Sequence, residues 1–286
     1  MTAIKKIPPK KPISSFGMDA YEPDEIARRI LAIGVKKTKF PLYKTLILGI
    51  LGGSFISFGA MYKIFVIAHP EVSVGTAVII APLFYAVGYI IAFIAGAEVF
   101  TTNNLSSMSL ASGQVSIWEV SVNWSTVLFA NMLGAAFIVT LFYFSGVMGF
   151  YDNAMVDAAK VITSKKLSLG PLETIIVGLF GNMLICAGLW IGMAGRTVTD
   201  KFLALLIPIA AVPALNFQHS TGNMFQLFLS LIAESNLDLS TEITAWAVAS
   251  NLALVSIGNV IGGGFFIAIV YYFVYIKDSE QVETNL

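Results

Sequence analysis

Charged residues are scarce in this sequence: Lys, Arg, Asp and Glu make up 12% of its 286 residues, whereas 57% are hydrophobic. Soluble globular domains carry about 25% charged residues. The mean hydropathy is +0.80, so the composition excludes an ordinary soluble protein. We therefore expect an integral membrane protein.

Residues that carry chemistry are also few. A single cysteine, Cys186, excludes an intrachain disulfide. There are two histidines, His69 and His219, and no Cys or carboxylate cluster accompanies either, so no metal is expected. The set of nucleophile, base and orienting group that hydrolysis requires is also missing. The sequence predicts neither an enzyme nor a cofactor, and no nucleic-acid partner is expected.

Long apolar segments are what the sequence does contain. A spanning helix needs about 20 apolar residues, and six segments qualify: 45–62, 78–100, 125–148, 171–194, 202–232 and 245–273. We predict an all-α integral membrane protein with one six-helix transmembrane channel domain at 45–273. A tail with a short amphipathic helix precedes it at 1–44, and a second tail follows at 274–286.

The basic residues are concentrated near the N-terminus: 10 of the 17 Lys and Arg residues precede the first apolar segment. By the positive-inside rule the N-terminus is predicted to be cytoplasmic. Six spans return the C-terminus to the same side of the plasma (inner) membrane. Residues 1–17 are expected to be extended, and 22–33 to form a helix that lies on the membrane surface or acts in gating or subunit contact.

An internal repeat relates the first three segments to the last three. Three spans per repeat is an odd number, so the halves are predicted to have opposite topology, as in many transport proteins. The matched positions are Gly49, Gly52 and Gly59 with Gly178, Gly181 and Gly188, and Asn123, Asn131 and Gly134 with Asn251, Asn259 and Gly262.

Polar residues interrupt the second and fifth segments at matching positions, as EVFTTNN (98–104) and QHSTGN (218–223). Such an interruption is tolerated in a membrane only where it is buried in protein or lines a cavity. Each break frees backbone N–H groups at the start of a half-helix, and these favour an anion. We therefore predict that both helices are broken and that the breaks form a pore or binding site.

His219 is the leading candidate in the second break, because ionisable groups inside a membrane are costly and are functional candidates by default. A packing role that holds a kink is the alternative. Gln218 and Asn223 flank it, and Thr101 and Thr102 offer hydroxyls from the first break. Apolar constrictions, or ordinary core, are predicted at Val99, Phe100, Ile185 and Val212. Lys166, placed in a polar loop before the fourth span, either attracts anions or snorkels to the interface.

Five motifs carry a specific resemblance: GAEVFTTNNL, NWSTVLFANMLG, GNMLIC with Asn182, FQHSTGNMF and IGNVIGGG. Together they resemble the formate/nitrite transporter family from about residue 20 to 275. The resemblance implies an aquaporin-like protomer of six helices and a homopentamer with one pore per protomer. It implies small monovalent weak-acid anions as substrates: formate, nitrite, hydrosulfide, acetate or lactate.

The same resemblance implies roles for individual residues. His219 is the pore histidine, Thr101 its partner, Lys166 the vestibule lysine and Asn259 the pore asparagine, and Asn182 is a further candidate for the pore. Many members have Glu before the histidine, whereas this chain has Gln218, so a proton route that relies on Glu is in doubt.

A transport mechanism follows from the energy of burying a charge. A bare carboxylate in a dry constriction costs tens of kcal/mol in the idealised limit, and protonation removes most of this penalty. We expect Lys166 and the half-helix termini to attract the anion, a proton to arrive from water or from His219, and the acid to cross the constriction. Formate is the first expectation, with nitrite and hydrosulfide as alternatives. A neutral-solute pore and a sensory protein without flux remain open, although the aquaporin Asn-Pro-Ala boxes are absent.

Overall fold

The computed structural model describes residues 20–149, 151–233, 237, 239 and 241–277, and this part of the chain contains no β-strand. The predicted extended segment 1–17 and most of the predicted tail 274–286 lie outside the described residues. In chain order the helices are α1 Pro23–Thr38, α2 Leu42–Ala68, α3 Val74–Ala95, α4 Phe100–Asn103, α5 Ser107–Ala111, α6 Ile117–Phe144, α7 Ala154–Leu167, α8 Pro171–Ala194, α9 Val198–Ala214, α10 Ser220–Ile232, α11 Ala245–Asn259 and α12 Val270–Tyr275. Short 3₁₀ turns cover Asn104–Ser106 and Val147–Gly149, and a π-helical stretch, Val260–Ile269, joins α11 to α12.

Five helices in the described part are long and apolar enough to cross a membrane: α2, α3, α6, α8 and the continuous helix Ala245–Tyr275. Large apolar side chains cover the outer surface, and Val74, Phe144 and Trp246 are 82%, 79% and 80% exposed. Such a surface suits lipid or neighbouring subunits rather than water. The prediction of an all-α integral membrane protein is confirmed.

Two of the predicted spans run past the end of a helix in the structure. The second was predicted to reach residue 100, but α3 ends at Ala95 because Gly96 adopts a left-handed conformation (φ 79°). The segment predicted at 202–232 contains two helices, α9 and α10. Asn216, which also has positive φ (57°), lies between them.

Helix α1 is longer than the predicted 22–33 and packs on the protein. Its buried face, which includes Ile26, Ile30 and Leu31, lies against α5, α8 and the adjacent 3₁₀ turn. Ser109 Oγ of α5 donates to the Leu31 carbonyl at 2.8 Å. The helix predicted in this region is therefore present, and its placement on the membrane surface stays a prediction.

Lys166 lies on the last turn of helix α7, which corrects its predicted placement in a loop. The segment has no Gly or Pro, and Met155, Val156 and Ala159 are fully buried. Packing of these residues accounts for a helix where the polarity of the segment suggested a loop. Helix α7 packs against α10 and α2, so the lysine is carried to the interior end of a short helix.

The long helices pack as two similar groups. Helix α2 packs against α3 and α6, and α8 packs against α9 and α11. Helices α3 and α9 contact each other across the molecule. Residues of both interruptions, among them Glu98, Thr101, Gln218 and His219, are buried, so both interruptions lie inside the bundle.

Candidate functional site: a buried centre at two helix breaks

The two interruptions have the same backbone geometry. After α3 the Ala97 N–H bonds the Ala92 carbonyl, and after α9 the Phe217 N–H bonds the Val212 carbonyl, both at 2.9 Å. Each chain then runs extended into the next helix, through Val99 (φ −127°, ψ 126°) or His219 (φ −136°, ψ 122°). Val99 and His219 are thus the residues that immediately precede α4 and α10.

Hydrogen bonds to the neighbouring spanning helices support both extended segments. The Glu98 N–H donates to the Leu48 carbonyl at 3.0 Å, and the Gln218 N–H donates to the Val177 carbonyl at 3.1 Å. These bonds satisfy backbone groups that water cannot reach, which is the condition for irregular backbone at membrane depth.

Asn131 and Asn259 anchor the two breaks in the same way. The Asn131 amide donates to the Gly49 and Glu98 carbonyls at 2.7 and 2.9 Å, and its oxygen accepts from the N–H of Phe100 at 2.9 Å. The Asn259 amide donates to the Gly178 and Gln218 carbonyls at 2.7 and 3.3 Å, and its oxygen accepts from the N–H of Ser220 at 2.9 Å. Asn259, a predicted pore residue, is therefore committed to holding the second break in position.

Asn182 connects the first break to the helix that anchors the second. Its side-chain amide donates to the Asn259 carbonyl at 2.8 Å, the Asn104 side-chain oxygen at 2.9 Å and the Thr101 carbonyl at 3.2 Å. Three predicted site residues, Asn182, Thr101 and Asn259, thus form one buried network.

A charged cluster lies beside the first break. Lys37 Nζ, at the end of α1, lies 3.2 Å from Glu98 Oε1 and donates to Asn103 Oδ1 at 2.9 Å. Asn103 Nδ2 in turn donates to Glu98 Oε2 at 2.6 Å and to Asn123 Oδ1 at 2.9 Å. The lysine charge is therefore compensated by a buried carboxylate.

The cluster beside the second break has the same arrangement without the carboxylate. Gln218 Oε1 accepts from Asn223 Nδ2 at 2.8 Å and from Asn251 Nδ2 at 3.1 Å. Asn251 Nδ2 also lies 3.5 Å from the Lys166 carbonyl. Gln218 Nε2 is buried, with no hydrogen-bond partner within the described residues. This cluster is neutral where the first is charged.

Lys166 has a second lysine for a neighbour. Lys63 lies in α2 with only 9% of its surface exposed. Partial burial of Lys166, followed by the nearby charge of Lys63, holds the pKa of Lys166 well below its usual value. In the parts of the chain that the structure describes, neither lysine forms a salt bridge. Unlike the first cluster, the second therefore lies beside two lysines that have no carboxylate partner in the described residues.

His219 lies at the start of α10, fully buried (1% exposed). Its Nδ1 contacts the Tyr89 hydroxyl, and the Tyr85 hydroxyl donates to that of Tyr89 at 3.4 Å. Its Nε2 is buried and has no partner in the described ranges, and the same is true of the Thr101 hydroxyl. A histidine nitrogen and a threonine hydroxyl, one from each break, are thus free to bind a ligand.

A cavity of about 530 Å³ extends from Lys37 and Asn103 to Tyr89. Val99, Ile185 and Thr102 line it, as expected for pore residues. Phe100 and Val212 are buried but do not line this cavity; the Phe100 ring packs edge-to-face on Trp124 with centroids 6.5 Å apart. The predicted constriction residues are therefore split between the cavity wall and the surrounding packing.

Several residues of the centre were not identified as site candidates from the sequence: Lys37, Glu98, Lys63, Tyr85 and Tyr89. Lys37 and Glu98 are far apart along the chain, so no local pattern connects them. Lys63 in the middle of an apolar segment, and a tyrosine pair one helical turn apart, were available signals. A buried lysine and buried hydroxyls in a membrane helix require polar surroundings.

Comparisons with known proteins place this geometry in a family. A family model described as Formate/nitrite transporter matches residues 24–273. The chain belongs to the formate/nitrite transporter family. The chain is 32% identical over 263 residues to the transporter YrhG of Bacillus subtilis (strain 168), covering 91% of this chain and 96% of the relative. It is 27% identical over 278 residues to the formate channel FocA of Escherichia coli (strain K12), covering 92% and 97%.

A solved structure of a pentameric formate channel with formate bound matches with a TM-score of 0.75 at 27% identity, covering 82% of this chain and 98% of that one. As a member of the formate/nitrite transporter family, the chain is a membrane transport protein and not an enzyme. The family resemblance given by the sequence motifs is confirmed.

Proposed function

We propose that this chain is a channel for small monovalent weak-acid anions, with formate as the first substrate. The observation that carries the proposal is the buried His219 Nε2 at the start of α10, which has no partner in the described chain. A buried polar atom without a partner is rare in a folded protein. An oxygen of a passing anion or acid is a suitable acceptor for it.

The architecture that we propose for the channel is a protomer of six spans in two inverted repeats, with the second and fifth helices broken. The matched bonds of Asn131 and Asn259 support the repeat, as do the matching backbones at Val99 and His219. In this arrangement α9 and α10 together form the fifth span. The boundaries 1–44, 45–273 and 274–286 divide the chain into tail, channel domain and tail.

The mechanism that we propose begins with electrostatic attraction. Lys166, with Lys63 beside it and Gln218 in place of a carboxylate, draws an anion towards the second break. A dry apolar passage then disfavours the bare anion by many kcal/mol, so the solute crosses the constriction as the neutral acid. The proton comes from water, or from His219 in its cationic form, while the Thr101 hydroxyl supplies a second hydrogen bond.

We also propose that five protomers assemble in the plasma (inner) membrane, each with its own pore and with both termini cytoplasmic. The exposed apolar side chains of α6 and α3 suit contacts with lipid and with neighbouring copies. The pentamer of the solved formate channel and the basic residues before α2 support these two points.

Nitrite and hydrosulfide are the alternative substrates, because they share the charge and the acid–base chemistry of formate. A neutral-solute pore is the second class of function; Val99, Ile185 and Thr102 on the cavity wall are uncharged, although Arg29, Lys37 and Lys201 line the same cavity. Competition among formate, nitrite, hydrosulfide and acetate separates the anions.

The decisive experiment measures formate and glycerol entry into liposomes that contain the purified protein, across a range of pH. We expect formate entry that depends on pH, and a His219→Phe variant that loses or inverts this dependence. His69→Phe, which removes the other histidine, is the matched control and leaves the dependence intact. Glycerol entry without formate entry, or an unchanged pH dependence in His219→Phe, refutes the proposal.

A further inference from the structure

Two tyrosines in α3 connect His219 to the interior of an otherwise apolar helix. Tyr85 and Tyr89 are 4% and 3% exposed and lie one helical turn apart. The Tyr85 hydroxyl donates to the Tyr89 oxygen at 3.4 Å, and the Tyr89 hydroxyl contacts His219 Nδ1. The Tyr89 and His219 rings meet nearly edge-to-face, with centroids 5.0 Å apart and an interplanar angle of 78°.

The donors around the Tyr89 oxygen determine where its own proton points. The oxygen accepts from the Tyr85 hydroxyl, so the proton of Tyr85 is already directed at Tyr89. A phenol oxygen has two lone pairs and carries one proton. Because the Tyr85 proton occupies the contact between the two phenols, the Tyr89 proton has His219 Nδ1 as its acceptor within the described residues.

Donation to Nδ1 fixes the tautomer of a neutral imidazole. If Nδ1 accepts, the ring proton must lie on Nε2, because a neutral histidine carries one N–H. The opposite tautomer would direct a second donor at the Tyr89 oxygen and leave the Tyr89 proton buried without an acceptor in the described residues. An unsatisfied buried donor is disfavoured. The network therefore selects the Nε2–H form.

The absence of a side chain at Gly222 is a condition for this contact. A Cβ at this position would overlap the Tyr85 hydroxyl and would lie 2.9 Å from the Tyr89 hydroxyl. Gly222 allows both phenols to reach the first turn of α10. Gly222 is thus part of the arrangement that brings Tyr85 and Tyr89 to His219.

We propose that Tyr89, oriented by Tyr85, is a positioning residue that holds His219 as the Nε2–H tautomer, so that the pore presents a neutral N–H donor to its substrate. The proposal rests on the proposed function only for the identity of the substrate. The Nε2–H tautomer gives the centre a preference for solutes that have a hydrogen-bond acceptor oxygen over solutes that have only hydrogen-bond donors.

The tautomer can be measured directly because the chain has two histidines. Protein labelled with ¹⁵N-histidine and reconstituted in lipid gives two sets of imidazole signals, and His219→Phe assigns them. Solid-state NMR then shows which ring nitrogen carries the proton. We expect Nε2–H and a bare Nδ1 for His219 in the unmodified chain, and a mixture of tautomers in Tyr89→Phe.

Transport supplies the second measurement. Loss of one hydrogen bond of about 1 kcal/mol corresponds to roughly a five-fold change, and we expect formate entry in Tyr89→Phe to fall by about this factor. We expect Tyr85→Phe to change the tautomer ratio and the rate of formate entry in the same direction as Tyr89→Phe, but by a smaller amount. Tyr62→Phe makes the same chemical change on the outer face of α2, where Tyr62 is 54% exposed, and leaves both measurements unchanged.

Nδ1–H in the unmodified chain, or Nε2–H retained in full in Tyr89→Phe, overturns the proposal. An altered tautomer in Tyr89→Phe with unaltered formate entry also overturns it, because the tautomer would then have no effect on the substrate. If the unmodified chain carries no formate although His219 is Nε2–H, the proposed function fails while the assignment of the tautomer stands.

Discussion

Gln218→Glu gives the second polar cluster the carboxylate that the first one has. In the first cluster Glu98 holds Lys37 at 3.2 Å, while Gln218 Nε2 has no partner in the described residues and Lys166 has no carboxylate there. A glutamate at 218 would place an oxygen where the unpartnered amide nitrogen is. We expect it to pair with Lys166 as Glu98 pairs with Lys37, and so to remove the positive charge that attracts the anion.

The pair in the first cluster sets the scale of this change. Two unit charges 3.2 Å apart attract by about 5 kcal/mol at an effective dielectric constant of about 20. Burying the new carboxylate costs several kcal/mol, which offsets most of this attraction, so the stability of the fold changes little. Lys166 is partly exposed, which screens its charge. Because of this screening, we take about a third of the Coulomb energy, between ~1 and ~2 kcal/mol, as the loss in attraction for formate. This energy corresponds to a roughly ten-fold loss of affinity.

The assay is the concentration dependence of formate entry into liposomes at constant pH. We expect the half-saturating concentration to rise about ten-fold in Gln218→Glu. Gln114→Glu is the matched control, because Gln114 is exposed in the connection between α5 and α6 and has no place in either cluster. An unchanged half-saturating concentration in Gln218→Glu, or an equal rise in Gln114→Glu, refutes the reasoning that Lys166 acts through an uncompensated charge.

Two further predictions concern the same centre. Lys63→Met removes the charge that is the second cause, next to burial, of the lowered pKa of Lys166, so this pKa rises. Lys166 then stays protonated to higher pH, and the alkaline decline of formate entry should move to higher pH; a decline at unchanged or lower pH contradicts this. Asn259→Leu removes three hydrogen bonds to backbone groups, among them the one from the N–H of Ser220. At about 1 kcal/mol or more each, the melting temperature in detergent should fall by roughly 6–12 °C, and a fall of less than about 2 °C contradicts the anchoring role.

The sequence predicted the parts of the fold that depend on composition and local pattern. Length and hydropathy predicted a membrane protein, and the boundaries 171–194 match α8. The interruptions lie at the polar stretches, because those stretches cannot be exposed to lipid. The ends of α3 and α9 were missed by several residues, because left-handed backbone at Gly96 and Asn216 has no hydropathy signal.

The contacts of the centre depend on distances that the sequence does not contain. Lys37 meets Glu98 only because α1 packs beneath the first break. Tyr85 and Tyr89 recur at the spacing of any buried helix face, so their approach to His219 required the crossing of α3 and α10. Lys166 was assigned to a loop because its segment is polar, although tertiary packing makes that segment a helix.

Matched positions in the two breaks separate structural roles from functional ones. Where the breaks agree, as at Asn131 and Asn259, the side chains hold backbone groups, and the same bonds recur in both. Where they differ, Val99 stands opposite His219, and the second break gains an unpartnered nitrogen. A duplicated fold requires the first kind of residue twice, but a single pore requires its donor only once. The differing positions are therefore the ones at which substitutions should alter transport without melting the protein.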